Sequence, residues 1–550
     1  MRLNYLYLSL IILLAIGLRF YHLTTVPSGF LNDEAAMGYN AYSLLKTGKD
    51  EFGKAWPMVF ESFGEGKPGM VIYHVLPWVA FLGLNELAVR FSPALFSVLS
   101  VIAVYFFCLE IYDTSKLKQK FALLSSLLMA IMPWDIIFSR GGSFGQESLF
   151  WIILAAILLH KWIKNNKLLY LIIGLISGSI AMFTYHAARV FVPLLLFSFI
   201  IAFYNKAKWN IKLKFVIFSL IIIGIPWIAL WLNPLSRSRA AGVSLLHPQG
   251  GLSIKLNQDL TESFGQPMWF IRLTHNKVQV LADDFISRYV SHFDFSFLFF
   301  QGDPIARYKV PNEGLVYWIL IPFLLAGIYI VIKQKQHFLS LWLLVAPVPA
   351  ALTFQTPSSI RAKYMIVPLA IICATGIVYI FDKLKGKLKI LILIFFSLVL
   401  IYQFVYFLDA YFVHFGLREP YHWQDGYKQL VTKVNQLKDK YSRVDITDKK
   451  GTPYIFFLFY NQYDPVKWQN QANDARGELD PYHFQSMKYL DNIHFVGSKC
   501  PANDSGELGV LYVCVNEEIP TNAKIIDTIN YNNGEPVFVI LELLPIVPIN

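Results

Sequence analysis

The chain has 550 residues, of which 55% are hydrophobic and only 15% are charged, and its formal net charge is +11. An ordinary soluble protein is excluded, because so little polar surface cannot cover so much apolar volume. Nucleic-acid binding is not indicated either, since it would need the basic residues collected on one folded face, whereas here they follow the loops between apolar segments.

Eleven apolar runs bounded by charged clusters predict an α-helical, polytopic membrane protein. The first run is predicted to be a retained anchor, because it is long and lacks the small-residue cleavage site of a signal peptide. The runs cover about 3–21, 91–112, 121–138, 148–163, 168–184, 189–204, 215–232, 315–332, 338–354, 364–381 and 390–410.

Alternate loops between these runs are rich in lysine, which predicts the orientation of the chain. Short cytoplasmic loops collect lysine and arginine, so the N-terminus is expected in the cytoplasm and the C-terminus outside, with the protein in the plasma membrane. The lysines are Lys116, Lys118 and Lys120; Lys161, Lys164 and Lys167; Lys206, Lys208, Lys212 and Lys214; Lys333 and Lys335; and Lys383, Lys385, Lys387 and Lys389.

This orientation leaves three outer pieces, which are the loops 22–90 and 233–314 and the tail 411–550. Residues 1–410 are thus predicted to form a transmembrane catalytic domain. The tail is predicted to be a small extracytoplasmic α/β domain with an acceptor-recognition or structural role. It has helical spacing at 426–440 and strand-like runs at 443–447, 493–496, 508–515 and 536–543.

The four cysteines divide between the membrane and the tail. Cys108 and Cys373 fall in apolar runs and are expected to be small core residues. Cys500 and Cys514 share the outer tail, where an oxidising compartment would let them form a disulfide.

An acidic pair, Asp33-Glu34, follows the first membrane helix and opens a segment with helical spacing. Met37 and Ala41 mark its apolar side and Asn40 its polar side, as in a helix that lies in the membrane interface. The pair has a structural interpretation as a helix cap and a first-turn acid. Carboxylates close to lipid need a cation, a metal or a reacting proton, however, and a partly desolvated carboxylate suits a general base.

The same loop continues with Lys67-Pro68 and an apolar stretch from Met70 to Leu84. If this stretch spanned the membrane, every later lysine-rich loop would move outside, so an interfacial or re-entrant helix is predicted. Lys67 at its N-terminus would suit a phosphate, although a snorkelling lysine is an equal alternative.

Asn85-Glu86 and Arg90 then lead into the next membrane helix, with Arg90 on the outer side. An arginine placed against the lysine bias needs an anionic partner. Glu34, Glu86 and a substrate phosphate are the candidates, and a structural ion pair is favoured over direct substrate contact.

With these motifs the chain resembles the GT-C superfamily of membrane glycosyltransferases. The likeness is to the protein O-mannosyltransferase-like group (glycosyltransferase family 39-like), which includes the lipid A aminoarabinose transferases. The matching features are Asp33-Glu34 after the first helix, Lys67-Pro68 before an apolar helix, and Asn85-Glu86 with Arg90. The resemblance covers about the first 200 residues and extends more loosely to residue 410.

The resemblance implies transfer, with inversion, of a sugar from a polyprenyl-phosphate carrier to a hydroxyl on a protein, lipid or glycan. Asp33 would be the catalytic carboxylate, Glu34 would support the site or a metal, and Lys67 would hold the carrier phosphate. A divalent metal ion is used by some relatives and stays open here, with Asp33 and Glu34 as its candidate ligands, because no close cluster of histidine and cysteine occurs.

Five more outer-face residues are candidates for binding the donor phosphate or sugar, each with a structural alternative. Arg140 would touch the phosphate or pair with Glu147 or Asp135, and His186 is more often a structural residue at such a position. Asp303 is a turn former by default and lies in a stretch that resembles bacterial members of the group. The five candidates are Arg140, Glu147, His186, Asp303 and Arg361.

Two other functions compete with transfer. A transporter or flippase of a lipid-linked sugar would also have many helices, but its charges would lie near the bilayer midplane. A noncatalytic envelope protein with a receptor-like tail would leave the acidic pair and Lys67 without a role.

Overall fold

The computed structural model describes residues 2–203, 209–247, 252–480, 484–504 and 506–545. The chain forms two compact units, each assembled from separate segments: Met1–Tyr21, Pro93–Ser139 and Phe144–Leu408 in the first, and His22–Ser92, Arg140–Ser143 and Asp409–Asn550 in the second. Lys206 and Lys208 of the third lysine-rich loop, and residue 204 at the end of the sixth apolar run, lie outside the described residues.

The first unit is built from helices. Two further helices, Glu86–Ile111 and Gly386–Asp409, lie mostly in this unit, and π-helical turns occur at Leu220–Gly224 and Ser296–Phe300. The α-helices within it are Arg2–Phe20, Lys118–Ile131, Pro133–Ser139, Glu147–Asn165, Leu168–Thr184, Ala188–Phe203, Trp209–Ser219, Ile225–Leu232, Pro234–Val243, Leu252–Glu262, Met268–Thr274, Lys277–Ser291, Ile321–Lys333, His337–Val345, Val348–Ala351, Ser359–Ala362 and Ile366–Lys383.

Several of these helices are apolar enough to cross a membrane. Within the described residues five qualify by length and composition: Leu3–Phe20, Glu86–Ile111, Ile211–Leu232, Ser359–Lys383 and Gly386–Arg418. The helices Lys118–Ile131 and Pro133–Ser139, bent by 57°, make a sixth if they form one span. Shorter apolar helices are Gly69–Leu82, Leu168–Thr184, Ala188–Phe203, Trp318–Lys333 and His337–Ala351. The chain is thus a mostly helical, multi-pass membrane protein, while the number of eleven spans stays a prediction.

Two glycines let a pair of apolar helices approach closely in the first unit. A Cβ added at Gly376 would lie 1.9 Å from the carbonyl oxygen of Phe323, and one at Gly327 would lie 2.0 Å from that of Ile372. No side chain fits in either place. Small residues at such contacts are how membrane helices pack backbone to backbone.

The second unit combines helices with three sheets. Its α-helices are Asn32–Thr47, Gly69–Leu82, Phe415–Arg418, Tyr427–Leu437, Tyr454–Tyr460 and Pro465–Gln471, besides the first turns of Glu86–Ile111. Its strands are β1 (Val59–Ser62), β2 (Glu65–Pro68), β3 (Arg443–Thr447), β4 (Arg476–Leu479), β5 (Gln485–Met487), β6 (Tyr489–Leu490), β7 (Ile493–Val496), β8 (Val510–Cys514), β9 (Ala523–Asn530) and β10 (Pro536–Leu543).

The largest sheet has the strand order β6-β7-β3-β8-β10-β9, and β1 and β2 form a separate antiparallel hairpin. Strand β3 lies between β7 and β8 and is parallel to both. The strands predicted at 443–447, 493–496 and 536–543 are observed at those residues, and the one predicted at 508–515 is β8. A disulfide joins Cys500 to Cys514, as the sequence allowed.

Helix Asn32–Thr47 is buried on both of its sides, which corrects the predicted interfacial helix. Met37 and Ala41 belong to one hydrophobic core with residues of the helix Tyr454–Tyr460. Asn40, expected on the polar outer side, is fully buried, and so is Ser43 one turn further along the helix. The prediction failed because it assumed that polar residues face water, whereas protein groups satisfy these two side chains.

Candidate active site

Asp33 lies in the first turn of helix Asn32–Thr47, as predicted. The helix begins here because the Glu34 carboxylate turns back and accepts a hydrogen bond from the backbone N–H of Leu31 at 2.9 Å. The Asp33 side chain is 33% exposed and accepts a hydrogen bond from the Lys67 ammonium at 2.8 Å. Asp33 is therefore both held in place and accessible.

Lys67 reaches Asp33 from strand β2 rather than from a helix N-terminus. Helix Gly69–Leu82 begins two residues later, and the N–H of Gly69 donates to the carbonyl of Met58 at 3.1 Å. The Lys67 ammonium is also 3.6 Å from an oxygen of Glu65. The ammonium thus lies between two carboxylates, and the strand that carries it ends at Pro68, the N-cap residue of this helix.

Glu34 and Arg90 form a fully buried ion pair, with Nε of Arg90 donating to Oε1 of Glu34 at 2.9 Å. The same Glu34 oxygen accepts from the N–H of Gly142 at 2.8 Å. Arg90 also donates to three backbone carbonyls, those of Leu23, Pro27 and Gly29. The pair therefore holds the loop before the acidic motif. It is the structural ion pair that the sequence favoured for Arg90 over direct contact with a substrate phosphate.

Two residues from far along the chain hold Asn32, the neighbour of Asp33. Oε1 of Gln424 accepts from the N–H of Asn32 at 2.7 Å, and the amide of Asn32 donates to the hydroxyl of Thr452 at 2.9 Å. Gln424 has a φ of 54°, in the left-handed region. Sequence reasoning missed both residues, since polar residues in a polar segment carry no local signal of such a contact.

Arg140 is buried in the second unit. Its Nη2 donates to the carbonyl of Val26 at 2.9 Å, and its guanidinium lies 4.8 Å from the ring centre of Phe412 and 5.8 Å from that of Tyr411. In the first unit, Asp135 pairs with Arg19 at 2.5 Å, and both side chains are fully buried.

Asp303 and Arg361 lie in the first unit with well-defined partners. The buried Asp303 carboxylate accepts from the backbone N–H of Ile305 and from both the N–H and the hydroxyl of Ser359. Burial raises the pKa of Asp303, and the hydrogen bonds from Ser359 oppose this rise. Arg361 donates to the backbone and side-chain oxygens of Gln355.

A second arginine lies near Arg361. Burial raises the pKa of Tyr185, while the positive charges of Arg361 and Arg239 both oppose the rise. The charges of two guanidinium groups therefore act on Tyr185. Arg239 was not among the residues predicted from the sequence. Nearby in the chain, His186 occupies the turn after helix Leu168–Thr184, where its carbonyl accepts from the N–H of Arg189 at 3.1 Å.

Glu147 begins helix Glu147–Asn165 and is fully buried. In the same unit, the fully buried Lys363 donates to the carbonyls of Phe144 and Gly145, each at 2.6 Å. Its ammonium also lies 3.8 Å from the ring centre of Tyr185. Lys363 was not predicted, because a lysine next to a long apolar run has the sequence pattern of a snorkelling residue.

The residues that were candidates for a metal are engaged with cations of the protein itself. Glu34 pairs with Arg90, and Asp33 pairs with Lys67. Within the described residues, no group of three or more histidine, cysteine, aspartate or glutamate side chains could hold a metal ion. The arrangement as it stands does not fit a metal centre, and we derive no step through one.

Comparison with solved structures identifies similar folds. With the aminoarabinose transferase ArnT from Cupriavidus metallidurans bound to undecaprenyl phosphate, the TM-score is 0.52 at 11% identity, covering 97% of this chain and 98% of that one. With the apo oligosaccharyltransferase of Archaeoglobus fulgidus it is 0.52 at 14% identity, covering 83% of this chain and 63% of that one. The form of that enzyme tethered to an acceptor peptide with an NVT sequon gives 0.51 at 13% identity and the same coverage.

The chain therefore spans less than two thirds of the length of the archaeal enzyme, but nearly all of ArnT. No protein-family model and no curated protein matches the sequence. Identities this low establish the fold alone. The chain has the fold that ArnT and the archaeal oligosaccharyltransferase share, and its sequence motifs predicted a fold of this kind.

Proposed function

We propose that this chain is a membrane glycosyltransferase that transfers a sugar from a polyprenyl-phosphate carrier to a hydroxyl acceptor on a protein, lipid or glycan. The observation that carries the proposal is the accessible Asp33 carboxylate, held by Lys67 at 2.8 Å at the start of a buried helix in a GT-C fold. The solved ArnT structure contains undecaprenyl phosphate, and this supports a lipid-phosphate donor for the present chain.

In the proposed reaction Asp33 is the general base. A hydroxyl is a weak nucleophile until its proton is removed, and Asp33 takes this proton as the hydroxyl oxygen bonds to the anomeric carbon. The bond from that carbon to the carrier phosphate breaks on the opposite face, which inverts the anomeric configuration. Lys67 offsets the negative charge that develops on the departing phosphate.

The ion pair between Asp33 and Lys67 gives the two residues linked roles. A donor phosphate that binds the ammonium of Lys67 takes the place of Asp33 as its partner. The Asp33 carboxylate, no longer paired with Lys67, can then accept the proton of the acceptor hydroxyl. Donor binding therefore frees Asp33 to act as the base. Glu34 and Arg90 act as positioning residues, because their buried pair holds the loop that carries Asp33.

The remaining predicted residues are proposed to bind the donor or support its site. Arg361, next to Arg239, is an alternative to Lys67 as the partner of the carrier phosphate. Donor binding by Arg361→Gln and Lys67→Gln separates the two, since only the true phosphate partner weakens binding when its charge is lost. Arg140, Glu147, His186 and Asp303 are each proposed to bind the donor phosphate or sugar; Arg140, Glu147 and Asp303 are buried, and His186 is half-buried.

The membrane orientation is part of the proposal. Eleven spans would place the N-terminus in the cytoplasm and the sheet-containing tail outside the plasma membrane, and the lysine-rich loops support this. The tail would form an α/β domain that helps recognise the acceptor. A membrane-impermeant reagent on intact cells tests the orientation, because a cysteine introduced at the exposed Asp474 should be labelled only if the tail is outside.

The test of function compares the wild type with Asp33→Asn on labelled polyprenyl-phosphate sugars and candidate acceptors. Loss of the base should lower the transfer rate by about 10²–10⁴-fold. Asp474→Asn, an exposed aspartate of the same unit, is the matched control and should keep full activity. Movement of the carrier across the membrane without bond cleavage would instead favour the flippase.

A further inference from the structure

A cleft of about 270 Å³ in the first unit is lined by side chains that the proposed reaction does not use. Its walls include the rings of Trp318, Tyr402 and Tyr406, which are 45%, 66% and 42% exposed. Three polar residues, Asn312, Glu313 and Gln403, also line it. The cleft therefore combines aromatic faces with a small number of polar groups, as small-molecule sites do.

Two segments of the chain build these walls. Trp318 begins the short turn that leads into helix Ile321–Lys333. Tyr402 and Tyr406 are one helical turn apart, so their rings lie on the same side of helix Gly386–Asp409, with ring centres 6.3 Å apart and planes inclined by 29°. Together they form an extended aromatic face.

Gln403 presents a buried donor that the protein leaves unused. The residue is only 4% exposed, and its Oε1 accepts from the backbone N–H of Ile319 at 3.5 Å. This contact favours the orientation described, because the flipped amide would place two N–H groups against each other. Among the described residues, Nε2 of Gln403 has no hydrogen-bond partner. A buried donor of this kind is costly unless a ligand or water completes it.

Glu313 adds an unpaired acceptor. Within the part of the chain that the structure describes, its carboxylate makes no hydrogen bond and no ion pair. Burial alone raises its pKa to about 7. A donor and an acceptor thus stand beside the aromatic faces with no partner from the protein.

We propose that this cleft binds one ring of a saccharide. Sugar hydroxyls both donate and accept hydrogen bonds, so one ring can donate to Glu313 and accept from Gln403 while its C–H face packs on the aromatic rings. A lipid tail would cover the rings but leave both polar groups unsatisfied. Water would satisfy the polar groups but not the aromatic faces.

This assignment goes beyond the proposed function, because the cleft is formed by elements other than those that carry the acidic motif. An interfacial belt of tryptophan and tyrosine would explain the exposed rings. It would not explain a buried amide without a partner. The saccharide ring can come from a soluble glycan or from a glycolipid headgroup, since both offer the same hydroxyls.

The test is saturation-transfer NMR on the full chain in glycolipid-free nanodiscs. The probes are the methyl pyranosides of glucose, galactose, mannose and N-acetylglucosamine, and a second arm adds a monoglycosyl diacylglycerol to the disc. We expect at least one probe to bind and Trp318→Leu to weaken it about tenfold. Gln403→Met, which removes the donor but keeps the length, should weaken it as well.

Trp269→Leu is the matched control, since this tryptophan is 69% exposed in the same unit but does not line the cleft. Binding only in the glycolipid arm would support the proposal and identify a headgroup as the source. Absence of binding in both arms, or equal binding by wild type and Trp318→Leu, would overturn it. Asp33→Asn should bind the probes normally, so failure of the proposed reaction is distinguishable from failure of the cleft.

Discussion

Replacing Glu51 with glutamine should change how the stability of the protein depends on pH. Glu51 is fully buried in the second unit and accepts hydrogen bonds from Asn40 and Ser62, each at 2.9 Å, and from Tyr454 at 3.3 Å. No cation pairs with it among the described residues. Burial raises its pKa from the ordinary 4.5 to about 7, against the effect of the hydrogen bonds.

The folded state therefore holds this proton more tightly than the unfolded state does. Below pH 4.5 the carboxyl is protonated in both states, and its contribution to stability is fully present. As the pH rises towards 7, the unfolded state releases the proton first and the folded state loses stability relative to it. One pKa unit corresponds to about 1.4 kcal/mol, so the full loss is about 3 kcal/mol.

Glutamine resembles the protonated carboxyl, since its oxygen can accept from Asn40 and Ser62 and its NH₂ can donate to Tyr454. We expect Glu51→Gln to match the wild type near pH 4.5 and to be more stable by up to about 3 kcal/mol near pH 8. For a unit of this size, 1 kcal/mol corresponds to about 2–4 °C in melting temperature. Thermal unfolding of the detergent-solubilised chain, followed by tryptophan fluorescence across this pH range, measures the difference.

Glu478→Gln is the matched control, because Glu478 is exposed and should show the same pH dependence as the wild type. Glu51→Ala should be destabilised at every pH, since it leaves the three donors around Glu51 without an acceptor. A constant difference between Glu51→Gln and the wild type from pH 4.5 to pH 8 would refute the reasoning.

Two further predictions concern the packing of each unit. Glu34→Gln leaves the buried charge of Arg90 uncompensated and should lower the free energy of unfolding by about 3–5 kcal/mol. Denaturant titrations measure this loss. A loss below about 1 kcal/mol would show that the pair does not hold the loop. Gly376→Leu should prevent the two close-packed helices of the first unit from meeting, because its Cβ would lie 1.9 Å from the carbonyl oxygen of Phe323. Size-exclusion profiles should then lack the monodisperse peak, whereas Gly242→Leu, with open space around its Cβ position, should keep it.

The sequence carried enough information for the order of the motifs and the local elements of the site. The resemblance to known glycosyltransferases put Asp33 and Lys67 in one site, and their side chains meet at 2.8 Å. Glu34 was one of three partners considered for Arg90. Charge complementarity singles out such pairs even when the fold is unknown, because buried charges need partners.

What the sequence could not supply is the set of contacts made over long separations. Gln424 and Thr452 lie 392 and 420 residues from Asn32, and nothing local marks them as its partners. Strand periodicity located β3 but not its place between β7 and β8, because pairing order depends on the whole sheet. Asn40 was misplaced for a related reason, since no pattern in the sequence marks its partner Glu51 as a buried acid.

The hydrogen bonds from Asn32 to Gln424 and Thr452 also determine when this part of the chain can complete its contacts during synthesis. The ribosome makes Asn32 early and these two partners about four hundred residues later, so both bonds can form only after residue 452 has been synthesised. A chain that ends before Gln424 therefore lacks both of the contacts that hold Asn32, the neighbour of Asp33.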